Sequence, residues 1–140
     1  MKKLSLLLMT ASLLLCACNQ ITINGGYDII PAPKEIQLAG DETFSFNAKT
    51  KIYYPAGNED LHRNAEFLSD YINDMVQFRL EVCEIQGEVN DGICLLTVPG
   101  YFAEPESYEI KVMPKQIIVT GEDAAGVFYG IQALRKSLPV

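Results

Sequence analysis

The alternation of apolar and polar positions is clearest in the last third of the chain. Tyr108, Ile110 and Val112 alternate with Glu109 and Lys111, the period of two expected of a strand with one buried face. Pro114 lies in a short polar break and Ile117 to Thr120 resume as a β-branched run, so the two segments read as a hairpin. Past Gly121 the period changes. Val127, Ile131, Leu134 and Leu138 recur at helical spacing, the stripe of an amphipathic helix. Thr120 and Asp123 have the spacing of a capping box, and Glu122 and Asp123 put negative charge at the favourable end of the helix dipole. Gly126 and Gly130 lie one turn apart; each costs about 1 kcal/mol against Ala in a helix interior, which predicts a close approach of helix to sheet.

The same reading extends upstream. Ile36 to Leu38 and Thr43 to Phe46 read as short strands around an Ala39–Glu42 turn, and Lys51 to Tyr54 as another. Asn58 is the expected N-cap of a first helix, with Glu59 and Asp60 in its first turn. Leu61, Ala65, Leu68, Ile72 and Met75 carry one apolar face to an end near Gln77. Leu80 to Ile85 and Ile93 to Val98 are strands flanking the turn-rich Gly87–Gly92, which predicts a hairpin folding about residues 88 and 89. The order predicts an α+β domain over residues 27–140: a largely antiparallel sheet with both helices packed on one face.

Composition narrows the function. A chain that is 49% hydrophobic and free of low-complexity tracts is expected to fold, and 140 residues provide one modest core. A net charge of −7 without basic clusters argues against a nucleic-acid partner. Residues 1–18 read as a signal peptide: Lys2 and Lys3 precede an apolar run from Leu4 to Leu15, shorter than the roughly 20 residues of a spanning helix. Leu15-Cys16-Ala17-Cys18 resembles a bacterial lipobox, which implies cleavage before Cys18 and lipidation of that residue; the alternative is an ordinary cut after Ala17. The lipobox implies an exported protein anchored in the outer membrane, with residues 19–26 as a flexible tether. Cys83 and Cys94 remain in the folded part. A hairpin would set them nearly opposite, so a cross-strand disulfide and two free thiols both stay open.

Candidate chemistry is sparse. Glu59-Asp60 and Glu122-Asp123 are adjacent carboxylate pairs, but both fall at helix starts, where capping accounts for them. His62 is the one histidine and is expected to face solvent, leaving no pair for a metal; no serine sits in a Gly-x-Ser-x-Gly elbow. The Gly126-x-x-x-Gly130 spacing lies in an amphipathic context, unlike a membrane dimerisation motif. No cofactor is expected. Phe128 and Tyr129 serve either the core or a docking surface.

The run from Asp123 through Gly126-Val-Phe-Tyr-Gly-Ile-Gln-Ala-Leu-Arg135 to Pro139 resembles the end of the non-catalytic N-terminal domain of family 20 glycoside hydrolases, the β-N-acetylhexosaminidases. Ile29-Ile-Pro-Ala-Pro33 resembles its opening. In that family the domain precedes a (β/α)8 barrel holding the active site, which is expected to be absent from a chain ending at Val140. The resemblance implies a parent that removes terminal β-linked N-acetylglucosamine or N-acetylgalactosamine by a substrate-assisted retaining mechanism, using an Asp-Glu pair on the barrel. No family catalytic residue maps onto this chain, which is expected to be inactive alone. The barrel is the implied partner in cis, and glycan is met only through it. Two alternatives stand beside this: a free-standing lipid-anchored module for a glycan or a partner, and the accessory domain of another glycosidase family.

Overall fold

The computed structural model describes residues 21–22, 29, 32–37 and 43–138. The leader, Cys18 and most of the expected tether lie outside the described residues. Two strands, β1 (Ile21–Thr22) and β2 (Ser45–Phe46), pair antiparallel as a small separate ladder, so two residues of the expected tether form a strand. Residues 36–37, expected in a strand, adopt no regular structure.

The remaining elements follow as β3 (Lys51–Pro55), α1 (Glu59–Val76), β4 (Glu81–Ile85), β5 (Gly92–Thr97), β6 (Tyr108–Val112), β7 (Gln116–Gly121) and α2 (Ala124–Ser137). The sheet order is β4-β3-β5-β7-β6. The β6/β7 hairpin forms as expected, with Ile110 opposite Val119. Every other pairing in this sheet is parallel: β3 with β4, β3 with β5, and β5 with β7. The α+β class and the two helices stand; the largely antiparallel sheet is corrected to a mixed one.

The reason lies in the 86–91 connection. It resembles a hairpin turn in composition, yet β4 and β5 run parallel on opposite sides of β3. The connection must therefore carry the chain back along β3. Helix α1 occupies one face of the sheet, and the 86–91 segment takes the other, where Tyr53 Oη donates to Asp91 Oδ1 (3.3 Å) and Gln116 Nε2 donates to the Val89 carbonyl (2.7 Å). The β3-α1-β4 crossover moves one way over one face and the β4–β5 crossover moves back over the other, so the two share one hand, as parallel connections do.

Without a β4/β5 hairpin the two cysteines are not set opposite each other. Cys83 and Cys94 both register with Tyr53, one on each side of β3. Two strand spacings separate them by about 9.5 Å, beyond the reach of a disulfide. Both are free thiols, and burial pushes that of Cys94 up to about 11.

The core lies between the sheet and the helix layer. Ile52, Ile93, Leu95 and Val119 from the strands meet Leu61, Ala65, Leu68 and Ile72 of α1 and Val127, Ile131 and Leu134 of α2. The expected stripes are the buried faces. Helix α1 packs over β3 and β4, α2 over β6 and β7, and the two helices touch each other. Ser69, fully buried in α1, donates its hydroxyl to the Leu80 carbonyl at 2.7 Å and ties the helix to the start of β4. Asn58 caps α1 as expected, its Oδ1 accepting from the Leu61 amide at 3.0 Å. Gly126 and Gly130 permit the close approach predicted for them. A Cβ at Gly130 would lie 2.6 Å from Val119 Cγ1, and one at Gly126 would overlap the Ser107 carbonyl oxygen.

Candidate docking surface

Two acidic pairs head the list of groups that could do chemistry, and the structure gives each a local task. Asp123, not Thr120, caps α2: its Oδ1 accepts from the Gly126 amide at 2.8 Å, while Thr120 stays within β7. The capping box is thereby corrected to a single aspartate cap. Its other oxygen, Oδ2, accepts from the Glu106 amide at 3.2 Å. Glu122 is turned away from the helix end. Its Oε1 accepts from the Gly100 amide (2.5 Å) and its Oε2 from the Phe102 amide (2.9 Å), so one carboxylate clamps the loop after β5. Glu59 and Asp60 lie in the first turn of α1, where Asp60 pairs with Arg63.

The clamp has a pH signature. The Gly100 amide first, and the Phe102 amide next, stabilise the ionised form and hold the Glu122 carboxyl below its ordinary 4.5. A carboxyl lowered in the folded state lends stability that is complete above its unfolded value and is lost as pH falls through the folded one. Glu122→Gln is therefore expected to speed amide exchange in residues 99–106 at neutral pH. Wild type should lose the same protection as pH drops below 4.5, converging on the variant. Hydrogen exchange followed by mass spectrometry across that pH range checks both.

His62 is half-buried beside the core: its ring stacks on Tyr54 at 5.1 Å between centroids, with Glu66 at 3.6 Å. The expectation that it faces solvent holds only in part. Among the described residues no group of three or more His, Cys, Asp or Glu could hold a metal ion, and no helix is long and apolar enough to cross a membrane.

What the fold does present is an aromatic surface on the outside of the helix layer. Phe128 and Tyr129 are 36% and 45% exposed, next to a buried stripe. Phe128 leans on Phe67 of α1 at 5.4 Å and on Tyr129 at 6.1 Å. Phe128 and Arg135 lie seven residues apart, two turns along one face. The Arg135 guanidinium rests 4.0 Å from the Tyr71 ring centroid and 5.3 Å from that of Phe67. A continuous strip of aromatic rings and one cation thus runs along the groove between the helices. Sequence reasoning picked out Phe128 and Tyr129 but missed Phe67, Tyr71 and Arg135. Their signal is the i, i+4 pairing of Phe67 with Tyr71 at the edge of the α1 stripe. It becomes specific only when α2 is known to lie alongside.

Comparison with known proteins identifies the domain. The family model "Glycosyl hydrolase family 20, domain 2" matches residues 26–140. A β-hexosaminidase of Porphyromonas gingivalis is 29% identical over 115 residues, which cover 81% of this chain and 14% of that protein. The GH20 β-N-acetylhexosaminidase of Streptomyces coelicolor superposes with a TM-score of 0.70 at 28% identity, covering 79% of this chain and 21% of that one. The β-N-acetylhexosaminidase of Bacteroides fragilis gives 0.59 at 28% identity, again over 79% and 21%. The chain therefore spans about a seventh to a fifth of the relatives it matches. With that match over residues 26–140, the chain belongs to the domain 2 family of family 20 glycoside hydrolases.

Proposed function

We propose that this domain is the accessory N-terminal part of an exported, lipid-anchored, exo-acting β-N-acetylhexosaminidase. In this reading the polypeptide that carries it releases terminal β-linked N-acetylglucosamine or N-acetylgalactosamine, and the chemistry belongs to a catalytic barrel in cis. The domain braces that barrel through the aromatic strip between its helices and is inactive alone. The observation that carries the reading is the match to a family 20 accessory domain, in relatives of which it forms only 14% and 21% of the length. Two details support it. Glu122 and Asp123 are occupied by backbone amides of the 100–106 loop and α2, which leaves neither free to act as a paired acid and base. Phe128 and Tyr129, both exposed, lie side by side on the helix layer and continue into Phe67, as expected of a surface made to be covered, while the exposed Tyr101 belongs to the loop after β5. Export and anchoring rest on Lys2, Lys3, the Leu4–Leu15 run and Cys18.

Hydrolysis of an aryl β-N-acetylglucosaminide tests the reading. The 140-residue chain is expected to show no turnover above buffer, and the polypeptide extended through its downstream reading frame is expected to turn over. Activity in the short chain would overturn the proposal.

A further inference from the structure

Resting on that accessory-domain reading and deepening it, we infer that Arg135 is the anchor by which the helix face grips the catalytic domain. It would do so by pairing with a carboxylate set in an apolar surface of that domain. The inference starts from a contrast among the three arginines. Arg63 pairs with Asp60, and Arg79 with Glu66 and Asp70. Lys34, Lys49, Lys115 and Lys136 lack a carboxylate among the described residues, but they are exposed to water, whereas Arg135 is half-buried. Arg135 has none among the described residues, in a chain with 18 acidic side chains against 11 basic. Its only polar partner there is neutral, the Gln132 side-chain oxygen, which accepts from Nη1 at 2.5 Å.

Position and preparation make this absence informative. The guanidinium is held over Tyr71 and Phe67, so its position is set before any partner arrives. Nε is buried without a hydrogen-bond partner, a cost the fold accepts to keep the plane where it is. Phe128, through its contact with Phe67, and Tyr129 beside it continue the strip as exposed apolar surface. An arginine placed over half-buried rings, next to an exposed aromatic pair and lacking an acid of its own among the described residues, has the make-up of an interface hot spot. The surface complementary to it is apolar with one embedded carboxylate. A lysine, with a point charge and no planar fork, would neither stack nor pair in the same way.

The test uses the polypeptide extended through its downstream frame, comparing wild type with Arg135→Gln, Arg135→Lys and Phe128→Asp. Limited proteolysis at the junction after Leu138 reports the population of undocked molecules. Both Arg135 variants are expected to raise junction cleavage at least about tenfold, and wild-type cleavage is expected to rise with salt. In the 140-residue chain Arg135→Gln should shift the unfolding midpoint by only a few degrees, since only a partly exposed ring contact is lost there. Equal destabilisation of the short and the extended chains would reduce Arg135 to an internal brace and overturn the inference. So would self-association of the 140-residue chain that Arg135→Gln abolishes, which would make a second copy the occupant. If Phe128→Asp opens the junction and Arg135→Gln does not, the carboxylate pairing fails alone. If neither opens it, the docking reading beneath it fails as well.

Discussion

Gly92→Ala is expected to destabilise the domain by about 4 kcal/mol, adding left-handed backbone strain to overpacking. Gly92 opens β5 at φ +72°, a conformation that costs an L-residue free energy wherever it occurs. The surroundings add to that cost. A Cβ there would lie 2.5 Å from the Lys51 carbonyl oxygen and 2.9 Å from Tyr53 Cε2, both on β3. The carbonyl belongs to the sheet and cannot yield without moving a ladder. Gly57→Ala is the matched control, because Gly57 has φ +74° and nothing within 4 Å of the added atom. It should cost about 1 kcal/mol, from strain alone. Denaturant titration of the two variants separates the contributions. Equal losses would show that the approach of β5 to β3 is not what excludes a side chain at Gly92.

Gly126→Ala should go against helix propensity. In an exposed helix interior that change stabilises by about 1 kcal/mol. Here the added methyl would overlap the Ser107 carbonyl oxygen and crowd Glu106, which itself sits at φ 60°. Since backbone is met and not a side chain, α2 or the 106–107 segment has to shift. A net loss of about 3 kcal/mol is expected, read as a midpoint lowered by 10 °C or more. At Gly130 the nearest neighbour is Cγ1 of Val119, a β-branched side chain that is fully buried and stiff, so Gly130→Ala should also cost stability. A Gly126→Ala variant more stable than wild type would mean that the helix can move outward freely.

The two helices were legible because each keeps its period long enough to declare a face; the predicted stripes are buried except for the half-buried Met75, and Ser69 and Ala133 join them. The β6/β7 hairpin was legible because three residues, 113–115, leave the chain no other course. The sheet order was not. Between β4 and β5 the run Gly87 to Gly92 has the composition of a tight turn, and composition does not record that β3 occupies the place between them. The side chains that decide the matter, Tyr53 and Gln116, lie far away in sequence and hold residues 89 and 91 by one hydrogen bond each. The choice between a disulfide and two free thiols stayed open for the same reason, since it turns on β3 lying between Cys83 and Cys94. At the helix starts, charge near an N-terminus was legible, but not that Glu122 would turn back to the loop after β5. The aromatic strip was half legible: exposed aromatics can be nominated from one helix, whereas the arginine over the rings depends on both.

The place of β3 has a consequence for how the chain is made. Tyr53 pairs with Cys83 on one side and Cys94 on the other, both long stretches of chain away, while β6 and β7 meet across a few residues. Loop-closure entropy must be met before such distant pairings contribute. A polypeptide emerging N-terminus first can form β3-α1-β4 as a unit, yet the opposite edge of β3 stays bare until β5 has followed. The first strand synthesised of the five is thus the one that waits for the most chain before both its edges are closed.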